Sequence, residues 1–122
     1  MKEPQDPTPY PQHKLSKKLS ADLKDGNYVF VQSIENEIWI LPDGPHRHPR
    51  ILGNATAVKY AGDVRVENGT ILDVTNLPGT FLCDDPDGLI EAAECFRQAG
   101  LILAAGAVRF FPPDGSRPLI LN

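Results

Sequence analysis

The sequence predicts a β-rich α+β domain, a curved sheet or partial barrel of hairpins with one main covering helix. Three observations carry this. Short runs of β-branched and aromatic residues recur in pairs separated by turn signals. One stretch alone, after DDPDG, carries a clear helical apolar stripe. The chain has 122 residues, 41% hydrophobic and 23% charged, which suits a single folded domain.

The first β pair is YVFVQ and IWIL. Tyr28, Val29, Phe30 and Val31 are nearly continuous, so burial on both faces is expected. Ile38, Trp39 and Ile40 form the return strand. The second pair is GDVRVENGTILDVTN. A two-residue Asn68-Gly69 turn places Val64 opposite Asp73 and mixes polar with apolar residues on one face. A three-residue loop with Gly69 in a bulge pairs Val64 with Leu72. It sets Val64, Val66, Leu72 and Val74 on one face, with Arg65 and Asp73 on the other. Patterning favours the three-residue loop.

The helix is expected at about residues 86–99. Asp84 or Asp85 caps it and Pro86 opens its first turn. Leu89, Ala92, Ala93, Phe96 and Ala99 make the stripe, and Gly100 closes it. Two strands, AVRFF and RPLIL, follow across the PPDGS turn.

Residues 1–26 differ from the domain at 27–122. Pro4, Pro7, Pro9 and Pro11 favour extended backbone, and Leu15, Leu19 and Leu23 at a spacing of four suggest a short helix docking on the domain. Partner binding and a plain tether both remain open for this arm.

The formal net charge is −4, which argues against nucleic acid as the main partner, although Lys14, Lys17, Lys18 and Lys24 form a local basic patch. No apolar run reaches the roughly 18 residues that span a bilayer, and no signal-peptide pattern opens the chain. No membrane association is therefore expected, and a cytoplasmic location is the default. Cys83 and Cys95 are too few for a disulfide scaffold and form no CxxC pair.

LPDGPHRHPR places His46 and His48 one residue apart, stiffened by Pro45 and Pro49. On a strand both rings would point to one side, as zinc or copper binding requires. The partners at hand are Asp43, His13, Asp63 and the cysteines, none at a diagnostic spacing. A pocket-lining histidine and a solvent-exposed pair are the other readings. The expectation is no bound metal and no cofactor. Asp84, Asp85 and Asp87 read as helix-start acids. The Asn54 and Asn68 sequons read as turns, and Trp39 and Tyr60 as core residues or ligand contacts.

The order YVFVQ, EIWIL, HPRILG, AVKYAGDVRVENGTILDVTN, LPGTF and DPDGL resembles a β-rich domain. That domain is found in plant calmodulin-binding IQ-motif proteins and in bacterial effector-like or toxin-like proteins. The match covers about residues 28–111 and rests on His48, Ile51, Gly53, Ala61, Gly62, Gly69, Ile71, Asn76, Gly79 and Pro86. Pro49, Arg50, Asn54, Asp63, Pro78, Thr80 and Phe81 depart from the pattern. The resemblance implies the β-rich fold and puts His48 at the family position, able to line one polar cleft with Asp63, Asn76 and Thr80. No IQ motif is present, so calmodulin binding is not expected.

Two functions follow as expectations. The first is a non-enzymatic binding or accessory module for a protein or peptide, for which an exposed sheet edge would serve by strand addition. The second is a small toxin-like enzyme using His48 as acid/base, with Asp63 orienting it.

Overall fold

The structure, a computed structural model, describes residues 11–42, 51–53, 57–76 and 85–122. It is α+β and β-rich. The strands are β1 (Lys17–Lys18), β2 (Gly26–Gln32), β3 (Ile38–Pro42), β4 (Tyr60–Glu67), β5 (Thr70–Thr75), β6 (Ile102–Leu103), β7 (Val108–Phe110) and β8 (Leu119–Ile120). They join in one open sheet of order β1-β3-β2-β4-β5-β7-β8, with β6 also on β5, so the sheet does not close into a barrel. The main helix, α1 (Pro86–Gln98), lies between β5 and β6 in the chain.

β2 lies inside the sheet, between β3 and β4, because its side chains tolerate burial on both faces. Tyr28, Val29, Phe30 and Val31 are all buried, as the unbroken apolar run predicts. Phe30 meets Phe96 of α1 edge-to-face, with ring centroids 5.2 Å apart. That contact marks the helix-bearing face, and alternation sends Val29 and Val31 to the far face.

The β4–β5 hairpin corrects the predicted register. Glu67 pairs with Thr70 and Val66 with Ile71, so the turn is the two-residue Asn68-Gly69 one. Both turn residues have positive φ, 51° and 73°, the conformation that a tight hairpin of right-handed twist requires. The register then shifts. Arg65 pairs with Asp73 and Val64 with Val74, leaving Leu72 as the extra residue of a bulge. The bulge sits in β5 rather than at Gly69. Val64, Val66, Ile71 and Val74 are all buried as a result, while Leu72 is only half-buried.

Helix α1 forms where predicted. The Asp85 carboxylate accepts from the Gly88 N–H at 3.1 Å, and Leu89, Ala92, Ala93 and Phe96 are buried. Asp84 lies outside the described residues. After Gly100, with φ 103°, the chain returns as β6 and β7, both parallel to β5, and β8 turns back antiparallel on β7. The crossover from β5 through α1 to β7 is a β-α-β unit at one end of an otherwise antiparallel sheet.

No helix forms in residues 11–26. Lys17 and Lys18 pair instead with Ile40 and Trp39 at the β3 edge, Leu19 N–H donates to the Ile38 carbonyl at 2.9 Å, and Leu23 is buried. A polar segment lying along an open edge satisfies its backbone by extending the ladder, and a narrow three-leucine stripe offers too little burial to compete.

Candidate functional site

The far face of the sheet carries the polar cluster. Matched register runs from Leu41 to Val29, Asp63, Thr75, Arg109 and Ile120. Two residues further along, Asn27, Arg65 and Asp73 share a row. Period-two alternation places all of these on one face. Leu41 and Val29 are buried and apolar, so Asp63 stands where the apolar half of that face gives way to the polar half. A shallow cleft of about 260 Å³ opens there, lined by Asn27, Tyr28, Asp63, Val64, Arg65 and Asp73.

Its charges are partly matched. Arg109 donates from Nε and Nη2 to the two oxygens of Asp73, both at 2.7 Å, in the planar fork that suits a carboxylate. That carboxylate raises the Arg109 pKa above its ordinary value. The Arg109 guanidinium also lies 5.4 Å from the centre of the Phe111 ring. Arg65 and Glu67 pair at 3.7 Å in the open. A small group with both donors and acceptors would find partners in such a cleft.

Of the predicted site residues, Asp63, Asn76, Trp39 and Tyr60 are described, and their surroundings differ. Asp63 lies on the far face as described. Asn76, one residue beyond the Asp63–Thr75 pair, binds the backbone of Phe111 with its amide. Tyr60 is only 1% exposed and belongs to the core. Its hydroxyl donates to the Asp85 carbonyl at 3.0 Å, and its ring lies beside Gly88. Trp39 stays half-exposed, with the Lys18 ammonium 5.7 Å from its ring centre and the Lys18–Glu37 ion pair at 2.6 Å beside it. His46, His48, Thr80 and Cys83 lie outside the described residues. Among the described residues, no three His, Cys, Asp or Glu side chains gather as metal ligands, and no helix is long and apolar enough to cross a membrane.

No family model, curated protein or solved structure matches the chain.

Three further features come from the structure. A cleft of about 570 Å³ beside α1 is lined by Gln32, Asn36, Asp87, Ile90, Glu91, Glu94, Cys95 and Gln98. Gln32, buried at its floor, points Nε2 at Glu91 Oε1 (3.4 Å) and Cys95 Sγ (3.7 Å). Burial, then Glu91 and Glu94, push the Cys95 thiol above its ordinary pKa, so it is a poor nucleophile at neutral pH. A second cleft lies near Lys17 and Lys24.

The third feature is the β8 edge. No strand lies beyond β8 among the described residues, and Leu119 and Ile120 are 49% and 56% exposed. The Leu121 N–H donates inward to the Val108 carbonyl at 2.8 Å. Leu119 pairs with Phe110 and Ile120 with Arg109, so the alternation of an antiparallel ladder turns the Ile120 N–H and C=O outward. In the sequence, RPLIL shows the strand but not that it is the last one.

Proposed function

We propose that the domain is a non-enzymatic binding module that takes up an extended protein or peptide segment along β8. The outward-turned Ile120 backbone, at an edge with two exposed aliphatic side chains, carries this reading. An added strand gains main-chain hydrogen bonds from the edge, while alternate side chains of the segment meet Leu119 and Ile120. Natural edges are commonly blunted by lysine, proline or short length. β1 at the opposite edge is blunted by Lys17 and Lys18, whereas β8 has only its shortness and the preceding Pro118.

The test is a selection of peptides on the immobilised domain, followed by affinity measurement with Ile120→Pro. That substitution removes the outward N–H and leaves the inward bonds of β8 intact. The expected result is recovery of peptides rich in β-branched residues, with binding lost in Ile120→Pro while the thermal midpoint barely moves. Equal binding by the variant, or no peptide recovered, defeats the proposal.

A second reading keeps the toxin-like enzyme, with His48 as acid/base and Asp63 orienting it, in line with the resemblance to effector-like domains. The position of Asp63 at the rim of a polar cleft favours it. Expression toxicity that disappears in both His48→Ala and Asp63→Asn, with folding intact, supports it over the binding module.

A further inference from the structure

Of the four lysines within residues 14–24, Lys17, Lys18 and Lys24 differ in their surroundings. Lys18 is engaged by Glu37 and Trp39. Lys17 and Lys24 both line a cleft of about 380 Å³, together with Leu15, Tyr28, Ile40 and Pro42. Its floor is apolar and closed, since Ile40 is fully buried and Tyr28 nearly so. Leu15, 53% exposed, forms an apolar wall. Neither the Lys17 nor the Lys24 ammonium has an ion pair among the described residues, in a chain whose net charge is −4. The Tyr28 hydroxyl donates to the Lys24 carbonyl at 2.7 Å, which fixes the backbone that carries one of the two cations.

We infer that this cleft binds a small aliphatic carboxylate, its chain on Leu15, Tyr28 and Ile40 and its carboxylate between Lys17 and Lys24. A pocket that is mostly apolar with a few convergent charges is the usual form of a small-molecule site, and this volume lies within the common range. Both cations already act on one carboxylate of the chain itself. Asp22 is held below its ordinary pKa first by the Ser20 hydroxyl, with Lys17 and Lys24 adding to the effect. A peptide needs a longer groove than this short cleft, lined by six residues, provides, which favours the small ligand. The site is separate from the β8 edge, so either can fail without the other.

The experiment titrates the full chain with decanoate, decanol and decyltrimethylammonium by calorimetry and by amide chemical shifts. Decanoate is expected to bind at least about tenfold more tightly than the other two, with shifts centred on Leu15, Lys24 and Tyr28. Lys17→Gln with Lys24→Gln should weaken decanoate about tenfold or more. Leu15→Ser should weaken decanoate while leaving hexanoate less affected. Circular dichroism checks that each variant is folded. Equal binding of the three amphiphiles, undiminished binding by the lysine double variant, or no binding overturns the inference. So does an acidic peptide that displaces decanoate at a lower concentration than decanoate itself requires.

Discussion

The Asn76 side chain imitates a strand against Phe111. Its Nδ2 donates to the Phe111 carbonyl at 2.9 Å, and the Phe111 N–H donates to its Oδ1 at 2.7 Å. The parallel β5–β7 pair stops at Thr75 and Arg109, and the amide prolongs it by one pairing where the backbone no longer does. Asn76 is mostly buried, so removing the amide strands two backbone groups. Asn76→Leu is expected to cost about 2–4 kcal/mol in urea unfolding. Unchanged stability would mean that water replaces the amide there.

Tyr60 and Gly88 make a second tight junction. A Cβ at Gly88 would lie 2.6 Å from both the Tyr60 ring and the Asp85 cap oxygen. Gly88→Ala therefore has to displace either the cap or a core ring. A loss of about 2 kcal/mol or more is expected, although alanine favours helix over glycine on an open surface. Tyr60→Phe keeps the ring and loses the bond to Asp85, so it should cost about 1 kcal/mol. Equal costs for the two would show that the hydroxyl, not the packing, fixes the helix start.

Cys95 supplies a prediction about pH. Its folded pKa is raised, chiefly by burial, so the native thiol keeps its proton when the unfolded chain has lost it. Stability from this group is complete below the unfolded value, near 9.0, and is lost as pH rises through the folded one. In a Cys83→Ser background, disulfide-reagent labelling of Cys95 should be slower at pH 8 than in urea. Glu91→Gln should bring its onset to lower pH. Labelling as fast as in urea would show an accessible, unshifted thiol.

The Asn68-Gly69 turn gives a fourth. Gly69 has φ 73° and open space around it, so Gly69→Ala meets conformational strain without collision. About 1 kcal/mol of destabilisation is expected, measured by the thermal midpoint. No change would argue that the turn adopts another type.

Much of this architecture was legible in the sequence because it depends on local chemistry. Asp85 and Pro86 mark the helix start, the apolar stripe gives its buried side, and the run from Tyr28 to Val31 shows a strand covered on both faces. The misread hairpin has a definite cause. The apolar pattern demands one extra residue in the β5 arm. It does not say whether that residue is Gly69 or Leu72, and only the ladder decides. Parallel pairing of β5 with β6 and β7 left no local signal, because partners joined by a helix need no shared turn. The lysine cleft was equally hidden. Lys17 and Lys24 were visible as charge, but the apolar floor beneath them is supplied by Tyr28, Ile40 and Pro42 from later strands.

The strand order also implies a sequence of folding events. Hairpins β2–β3 and β4–β5 close over short connections and can form early, each before the other exists. Joining β2 to β4 requires a longer closure, and the β5–β7 pairing must wait for the intervening helix to find its face. β8 pairs only with β7, so even if that hairpin closes early, β8 joins the sheet only when β7 docks on β5. Until then Leu119 and Ile120 lie outside the sheet, so the edge proposed for a partner is expected to be among the last parts of the sheet protected from amide exchange.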